Sequence, residues 1–245
     1  MMRADACHAA WRGLPVADLD TIIGSGTCVV LAPHPDDESL GCGGLIAACC
    51  AAGRAPMVAI LTDGAASHPG SREIPPEQLK LIRAREVHQA VAHLGLPPER
   101  LVLCGYPDSD APCSGRAFDD AVRVLSGLCS HEPGCTAIVA PWRHDPHHDH
   151  EAASLIAAGV AAECGIRHIA YPVWGWLLPP DQMVATEQSG GWRLDIATFL
   201  PAKHRAIQAH KSQYGNLITD DPGGFQLPPA LLSVFEVPFE TYLPA

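Results

Sequence analysis

Two short segments of the chain concentrate side chains that bind metals and move protons. The first, residues 34–39, reads HPDDES, and the second, residues 142–150, reads WRHDPHHDH. Four of the 13 histidines fall within residues 144–150. Imidazole and carboxylate groups are the usual ligands of a catalytic Zn²⁺, which takes three protein ligands and keeps a fourth position for water. The two segments therefore predict a metal site.

The first segment also has a simpler interpretation, as the start of a helix. Acidic side chains in a first turn are stabilised by the helix dipole, and Asp or Ser can cap free backbone N–H groups. Capping accounts for one or two carboxylates, but not for His34 or for the second segment. Because both segments follow predicted strands of the same sheet, we favour the metal site.

Predicted strands and helices alternate along the chain and place both segments. The strands cover residues 27–33, 57–63, 100–105, 136–141 and 167–172, and the helices cover residues 39–52, 76–94, 116–130, 149–163 and 201–212. Apolar strands alternating with helices predict an α/β fold, a Rossmann-like, mostly parallel sheet with helices on both faces. Ligands of such sheets bind at the carboxyl ends of the strands, where both segments fall. We expect one domain over residues 1–245, with a core over about 27–213 and a loop-rich segment over 172–245.

Composition and charge limit the class of protein. The 245 residues are 47% hydrophobic and 18% charged, as in an ordinary globular domain. The net charge of −11 and the lack of a basic cluster argue against nucleic acid as a partner. Ten cysteines without a C-x-x-C pair predict reduced, mostly buried thiols. With neither a signal peptide nor an apolar run long enough to span a bilayer, we expect a cytoplasmic protein, and the sequence leaves open whether it forms a homo-oligomer.

The order of the motifs resembles the LmbE-like (PIG-L) family of zinc-dependent N-deacetylases. HPDDESLGCGG (34–44) after a strand and HHDH (147–150) resemble that family's A-H-P-D-D-E and H-x-D-H motifs, although Pro33 stands where Ala is usual. Weaker matches are Thr62-Asp63-Gly64, Arg83-x-x-Glu86, Leu94-Gly95 and the segment from Lys203 to Gln213. The resemblance covers roughly residues 27–213. It implies a hydrolase that removes the N-acetyl group from an N-acetylglucosamine-type amino sugar in a glycoconjugate or small metabolite.

The resemblance also implies which residues form the metal site. His34, Asp37 and His150 are expected to bind one Zn²⁺ per chain, and other divalent metals suit the same donors. Asp36, whose side chain must diverge from that of its neighbour Asp37, is expected to be the general base.

Four further residues are expected near the reacting amide. By resemblance, His147 polarises the carbonyl or stabilises the oxyanion, and Asp149 holds a histidine in its tautomer. Arg83 is either a substrate contact, as its R-x-x-E context implies, or a solvated helix residue. His144, in the second segment, is expected to line the cleft and contact substrate.

The segment after the fifth predicted strand leaves two questions open. Lys203, His210 and Gln213 fall close to one helical face, and they either tie this segment to the cleft or pack in the core. Trp174 and Trp176 form an apolar wall for a sugar ring, or are buried by packing.

Two other functional classes use similar residues. A non-haem Fe(II) oxygenase also binds its metal with two His and one carboxylate, but it normally uses a β-rich barrel, and a second Asp placed as a base has no role in it. A non-catalytic metal-binding protein is the other alternative. A missing base or ligand would favour it, whereas His34, Asp36, Asp37 and His150 are all present.

Overall fold

The computed structural model describes residues 1–185, 190–215 and 217–245. Within these residues the strands are β1 (Met2–Arg3), β2 (Val16–Ala17), β3 (Thr27–Ala32), β4 (Met57–Thr62), β5 (Leu101–Tyr106), β6 (Cys135–Pro141), β7 (Arg167–Tyr171), β8 (Met183–Val184), β9 (Trp192–Asp195) and β10 (Phe239–Pro244). The helices are α1 (Ala4–Arg12), α2 (Leu19–Ile23), α3 (Asp37–Ala51), α4 (Pro76–His93), α5 (Gly115–His131), α6 (His148–Cys164), α7 (Leu200–Ala209), α8 (Lys211–Tyr214) and α9 (Pro229–Val234). Short 3₁₀ helices cover Pro98–Arg100 and Trp174–Leu177.

One sheet of eight strands organises the described residues, in the order β2-β9-β10-β7-β6-β3-β4-β5. Strands β7, β6, β3, β4 and β5 are parallel, and β10 runs antiparallel between β7 and β9. The chain proceeds outward from β3 through β4 to β5, and then returns to the other side of β3 with β6. This reversal opens a crevice at the carboxyl ends of β3 and β6, where ligands of open α/β sheets bind.

Alternate side chains of the central strands pack into two separate cores, one on each face of the sheet. Along β3, Val30 and Ala32 belong to the core that α3, α4 and α7 cover, whereas Val29 and Leu31 belong to the core under α5 and α6. Because both faces are covered, β3, β4 and β6 are mostly apolar and are buried over most of their length. The fold is the predicted single α/β domain with helices on both faces.

The segment over residues 172–245 is more regular than the sequence predicts. It contains α7, α9 and two strands of the main sheet, β9 and β10. These strands pair with partners distant in the sequence, so no local pattern of residues marks them. The predicted helix over 201–212 is divided at His210, whose φ of −77° and ψ of 61° separate α7 from α8. Residues 186–189 and 216 of this segment lie outside the described residues.

All ten cysteines are free, and each is buried or half-buried. In the described parts of the chain, every helix is too short or too polar to cross a bilayer.

Candidate active site

A sharp turn at the carboxyl end of β3 introduces the first polar segment. Asp36 has a φ of 153° and a ψ of −31°, a conformation that residues with a side chain rarely adopt. Its backbone N–H donates to Oε2 of Glu38 at 2.9 Å, and Oε1 of Glu38 accepts from Nε2 of His210 at 2.9 Å. Glu38 and His210 are fully buried. Since strained backbone persists only where its surroundings hold it, this pair stabilises the conformation of Asp36.

The three predicted metal ligands meet in the crevice between β3 and β6. Oδ2 of Asp37 lies 3.0 Å from Nδ1 of His34 and 3.3 Å from Nε2 of His150. The outer nitrogen of each ring faces another carboxylate: Nε2 of His34 is 2.9 Å from Asp149, and Nδ1 of His150 is 2.9 Å from Asp145. Metal-binding histidines usually have such carboxylate partners, which fix the ring and its tautomer.

The donor set fits a divalent cation. When each outer ring nitrogen donates to its carboxylate, the inner nitrogen carries a lone pair directed at Asp37. Nε2 of His150 is buried and has no hydrogen-bond partner among the described residues. Lone pairs that face one another away from water require protons or a metal ion between them. Although burial opposes it, the negative charges of Asp37 and Asp145 favour a protonated ring and raise the pKa of His150 to about 9.

The site contains a further carboxylate that sequence reasoning missed. Oδ1 of Asp108 lies 3.3 Å from Nε2 of His34, on the side opposite Asp37. Although burial opposes it, the interaction with His34 lowers the pKa of Asp108 to about 2. Two alternative donor groups therefore exist besides the predicted one: His34 with Asp108 and Asp149, and His34 with His147 and His150. The sequence contained one signal for Asp108, namely its position just after β5, whose carboxyl end lies at the same edge of the sheet as those of β3 and β6.

Arg83 lies in the site, against Asp36, and not on a solvated face of α4. Its guanidinium is 2% exposed and donates to Oδ2 of Asp36 at 3.1 Å and to the carbonyl oxygens of Pro35 and Gly64. Gly64 has a φ of 67°, and a Cβ there would lie 2.7 Å from the guanidinium, so a larger residue would displace Arg83. Burial raises the pKa of Asp36 to about 6, although the charge of Arg83 opposes the shift.

His147 caps the N-terminus of α6. Its Nδ1 accepts a hydrogen bond from the backbone N–H of Asp149 at 3.2 Å, which leaves the ring proton on Nε2. Burial, and then the charges of His34 and His150, lower the pKa of His147 to about 4. His147 lines the same cavity as His34. It is therefore a neutral hydrogen-bond donor at the rim of the site.

Asp149 and Asp145 hold the two histidines predicted to bind metal. Besides His34, Asp149 accepts from the backbone N–H groups of Ser109 at 2.8 Å and Ala111 at 3.0 Å. Asp145 holds His150 and accepts from the N–H groups of Val173, Trp174 and Gly175. Asp149 was expected to hold a histidine, and the histidine that it contacts is His34. The hydrogen bonds that Asp145 accepts connect the loop after β6 to the loop after β7.

His144 lies apart from this group. Its ring packs against Trp142, and it lines a different cavity of about 260 Å³ with His168. The described lining of the site cavity does not include it. The expectation that His144 contacts substrate therefore receives no support from its position, because its ring lines a different cavity.

The site opens into a cavity of about 640 Å³. Trp174 lines this cavity, whereas Trp176 packs against Trp11. Gln213 also lines it, while His210 is bonded to Glu38. Lys203 forms a separate buried ion pair with Glu240, 2.6 Å away. Of the three residues on the predicted helical face, only Gln213 lines the cavity.

Together these features define a class: an α/β domain with a buried imidazole–carboxylate site at the reversal point of its parallel sheet. The sequence profile of the family described as PIG-L, GlcNAc-PI de-N-acetylase, matches residues 29–161, which is more than half of the chain. The chain belongs to the PIG-L family, as its motifs predicted.

Relatives of known structure or activity support this assignment. The diacetylchitobiose deacetylase of Thermococcus kodakarensis is 24% identical over 189 residues, which cover 75% of this chain and 68% of that protein. The structure of an N,N'-diacetylchitobiose deacetylase from Pyrococcus horikoshii is 19% identical, with a TM-score of 0.62 over 88% of this chain and 81% of that one. The zinc-inhibited form of the teicoplanin deacetylase Orf2 is 18% identical, with a TM-score of 0.63 over 89% and 97% of the two chains. At these identities the two structures establish the fold alone.

Proposed function

We propose that this protein is a metal-dependent hydrolase that removes the acetyl group from an N-acetylglucosamine-type amino sugar in a glycoconjugate or small metabolite. The observation that carries the proposal is the convergence of His34 and His150 on one carboxylate oxygen of Asp37, with Asp36 beside them. The family assignment and the deacetylase activity named for the relatives agree with it.

We assign His34, Asp37 and His150 as ligands of one Zn²⁺, or of another divalent metal. When bound, the metal supplies Lewis acidity and a water molecule whose pKa is about 7. Asp149 and Asp145 orient the two histidine ligands through their outer ring nitrogens.

We assign Asp36 as the general base. Because Oδ2 of Asp36 is paired with Arg83, Oδ1 is the oxygen that takes the proton of the attacking water and later delivers it to the leaving amine. A pKa of about 6 lets one carboxylate both accept and return a proton near neutral pH. Arg83 orients this carboxylate and keeps its pKa from rising further.

We assign His147 as a neutral donor to the developing oxyanion. Since its Nδ1 accepts the N–H of Asp149, the proton on Nε2 is free to donate to the carbonyl oxygen as negative charge develops there. A preorganised donor of this kind typically contributes a rate factor of about 10²–10³.

The test is acetate release from a panel of N-acetylglucosamine conjugates by the zinc-loaded protein, before and after treatment with a chelator. We expect acetate and free amine in equal amounts, loss of both on metal removal, and recovery when zinc is restored. Turnover that requires oxygen and a 2-oxo acid would instead indicate the oxygenase. Metal binding without turnover of any conjugate would indicate a non-catalytic protein.

We also propose that residues 1–245 act as one domain, because β10 inserts between β7 and β9 and so joins the segment after residue 172 to the main sheet. A cytoplasmic location remains a prediction from the sequence, which predicts no oligomeric state.

A further inference from the structure

The lining of the proposed active-site cavity contains two groups of side chains, called here the polar wall and the apolar wall. The polar wall includes His34, Asp36 and Asp37 after β3, Asp108 after β5, His147 after β6 and Arg83 of α4. The apolar wall comes from other parts of the chain, and its members are Ala66, Pro69, Trp174, Phe225, Leu227 and Pro228. At about 640 Å³ the cavity lies within the range of about 300–1,000 Å³ that small-molecule sites usually have. A substrate that contacts its apolar wall carries an apolar group besides the amino sugar.

Two aromatic rings dominate the apolar wall. The rings of Trp174 and Phe225 meet edge to face, with centroids 5.7 Å apart and planes at 69°. Both side chains are half-buried, and both border the cavity. Aromatic rings in such an arrangement favour another planar or apolar group against their exposed faces. Trp174 is also linked to the proposed metal site, because its backbone N–H donates to Asp145, which holds His150.

The loop that carries Phe225 is fixed to a second loop by many hydrogen bonds. Asp220 accepts from Ser71 Oγ and from the N–H groups of Arg72 and Glu73, and Asp221 accepts from the N–H of Gly70. The N–H of Phe225 itself donates to the carbonyl of Ser67 at 2.7 Å. The position of the aromatic wall is therefore set before any ligand binds, which lowers the entropic cost of binding.

The described side chains that line the cavity offer no free cationic group to an anionic substituent. Asp36, Asp37 and Asp108 line it, and Arg83 is the only Lys or Arg among the described residues that do so. The guanidinium of Arg83 is buried and already paired with Asp36. A phosphate group is normally recognised by free Arg or Lys side chains, and an unpaired anion is costly to bury.

We infer that the site takes a neutral N-acetyl amino sugar that carries an apolar, planar substituent, and that it discriminates against a phosphate at the same position. The inference rests on the proposed function, and it leaves unchanged the residues assigned there to act on the acetyl group. Phe225 and Trp174 are the residues that determine this specificity.

The test compares three ligands that differ only at the anomeric position: phenyl N-acetylglucosaminide, N-acetylglucosamine and N-acetylglucosamine 1-phosphate. Affinity for the zinc-loaded protein is measured by calorimetry, and kcat/KM is measured by acetate release. We expect the phenyl glycoside to bind about tenfold more tightly than the free sugar, given the apolar area that a phenyl ring buries. The phosphate should bind no more tightly than the free sugar.

Substitutions of Phe225 test whether this residue produces the preference for the phenyl glycoside. Phe225→Ala should remove most of the phenyl advantage and change affinity for the free sugar by less than about twofold. Phe225→Leu keeps the apolar volume if the Ala variant does not fold, and it should retain only part of the advantage. Tyr214→Ala, an exposed aromatic residue outside the described lining of the cavity, is the matched control and should change neither value.

The outcomes separate this inference from the proposed function. If the phenyl glycoside has no advantage, if phosphate binds more tightly, or if the Phe225 variants keep the wild-type ratios, the inference is overturned even when acetate is released. If the binding order is as expected but no ligand releases acetate, the proposed reaction fails while the inference about the ligand is supported.

Discussion

Helix α3 borders two buried ionic clusters, one at its N-terminus and one at its middle. At the N-terminus, the carboxylate of Asp37 faces His34 and His150. At the middle, Glu240 is paired with Lys203 at 2.6 Å and also accepts from the N–H groups of Gly44 and Leu45. Both clusters are almost inaccessible to solvent, and both use ordinary charged side chains.

The two clusters differ in whether their hydrogen-bonding capacity is met. Each oxygen of Glu240 has two protein donors, Oε1 from Lys203 and Gly44 and Oε2 from Leu45 and Tyr242. In the other cluster, Nε2 of His150 has no hydrogen-bond partner among the described residues, and its neighbours line a cavity. Burial of charge therefore does not by itself mark a functional site. What distinguishes the first cluster is an unpartnered ring nitrogen where several imidazole and carboxylate groups converge beside a cavity. We expect changes in the first cluster to cost function and changes in the second to cost stability.

The largest expected effect is that of His150→Ala. The variant should lose its tightly bound metal and show acetate release no faster than in buffer, because one of three ligands is gone. It should still fold, since Asp145 keeps its three backbone donors. Elemental analysis measures the metal. The control is His168→Ala, which removes a histidine of β7 that lies outside the site cavity, and this variant should keep its metal. A His150→Ala protein with a full complement of metal would show that the ligand assignment is wrong.

Asp36→Asn should retain its metal and lose about 10²–10⁴-fold in kcat, the usual contribution of a general base. Asn is the appropriate replacement, because it tolerates unusual backbone conformations better than most residues. Metal content and kcat are measured on the same preparation. Loss of metal with Asp36→Asn, together with a loaded but inactive Asp37→Asn protein, would exchange the roles of the two aspartates.

Lys203→Met should lower the free energy of unfolding by about 3–5 kcal/mol, because Glu240 would remain buried without its counter-charge. The folded fraction should keep the wild-type kcat and one metal per chain. Denaturant titration followed by activity on the folded protein checks both. A stable variant with a large loss of kcat would mean that the second cluster takes part in catalysis.

Asp145→Asn should have the smallest effect, a loss of about 10–100-fold in metal affinity, as is typical when the partner of a metal-binding histidine is changed. The amide oxygen can still accept from the N–H groups of Val173 and Trp174, but the amide nitrogen replaces the oxygen that accepts from Gly175. The side chain also no longer provides a negative charge beside His150. Competition with a chelator of known affinity measures the change. An affinity equal to that of the wild type would remove Asp145 from the account of the site.

The meeting of His34, Asp37 and His150 was predictable from the sequence. Their segments follow β3 and β6, and the carboxyl ends of parallel neighbours lie at one edge of a sheet. The insertion of β10 was not predictable, because a short antiparallel strand paired with distant partners leaves no local pattern. The contribution of Phe225 escaped prediction for the same reason, since contacts between two distant loops place it in the cavity wall.

The role of Asp145 could have been anticipated only in part. It lies within the predicted second segment, but its bonds to three successive N–H groups depend on the path of the loop after β7. Likewise, the contact of His144 with Trp142 and its position in a different cavity depend on the turn between β6 and α6.

The most direct test of the account is the position of the metal, measured by anomalous diffraction at the zinc edge from crystals of the zinc-loaded protein. We predict one peak on the Nδ1 side of His34, bonded to that atom, to Asp37 and to Nε2 of His150 at about 2.0–2.2 Å. A peak on the Nε2 side of His34, between Asp108 and Asp149, would contradict the account, and so would a site in which His147 replaces Asp37.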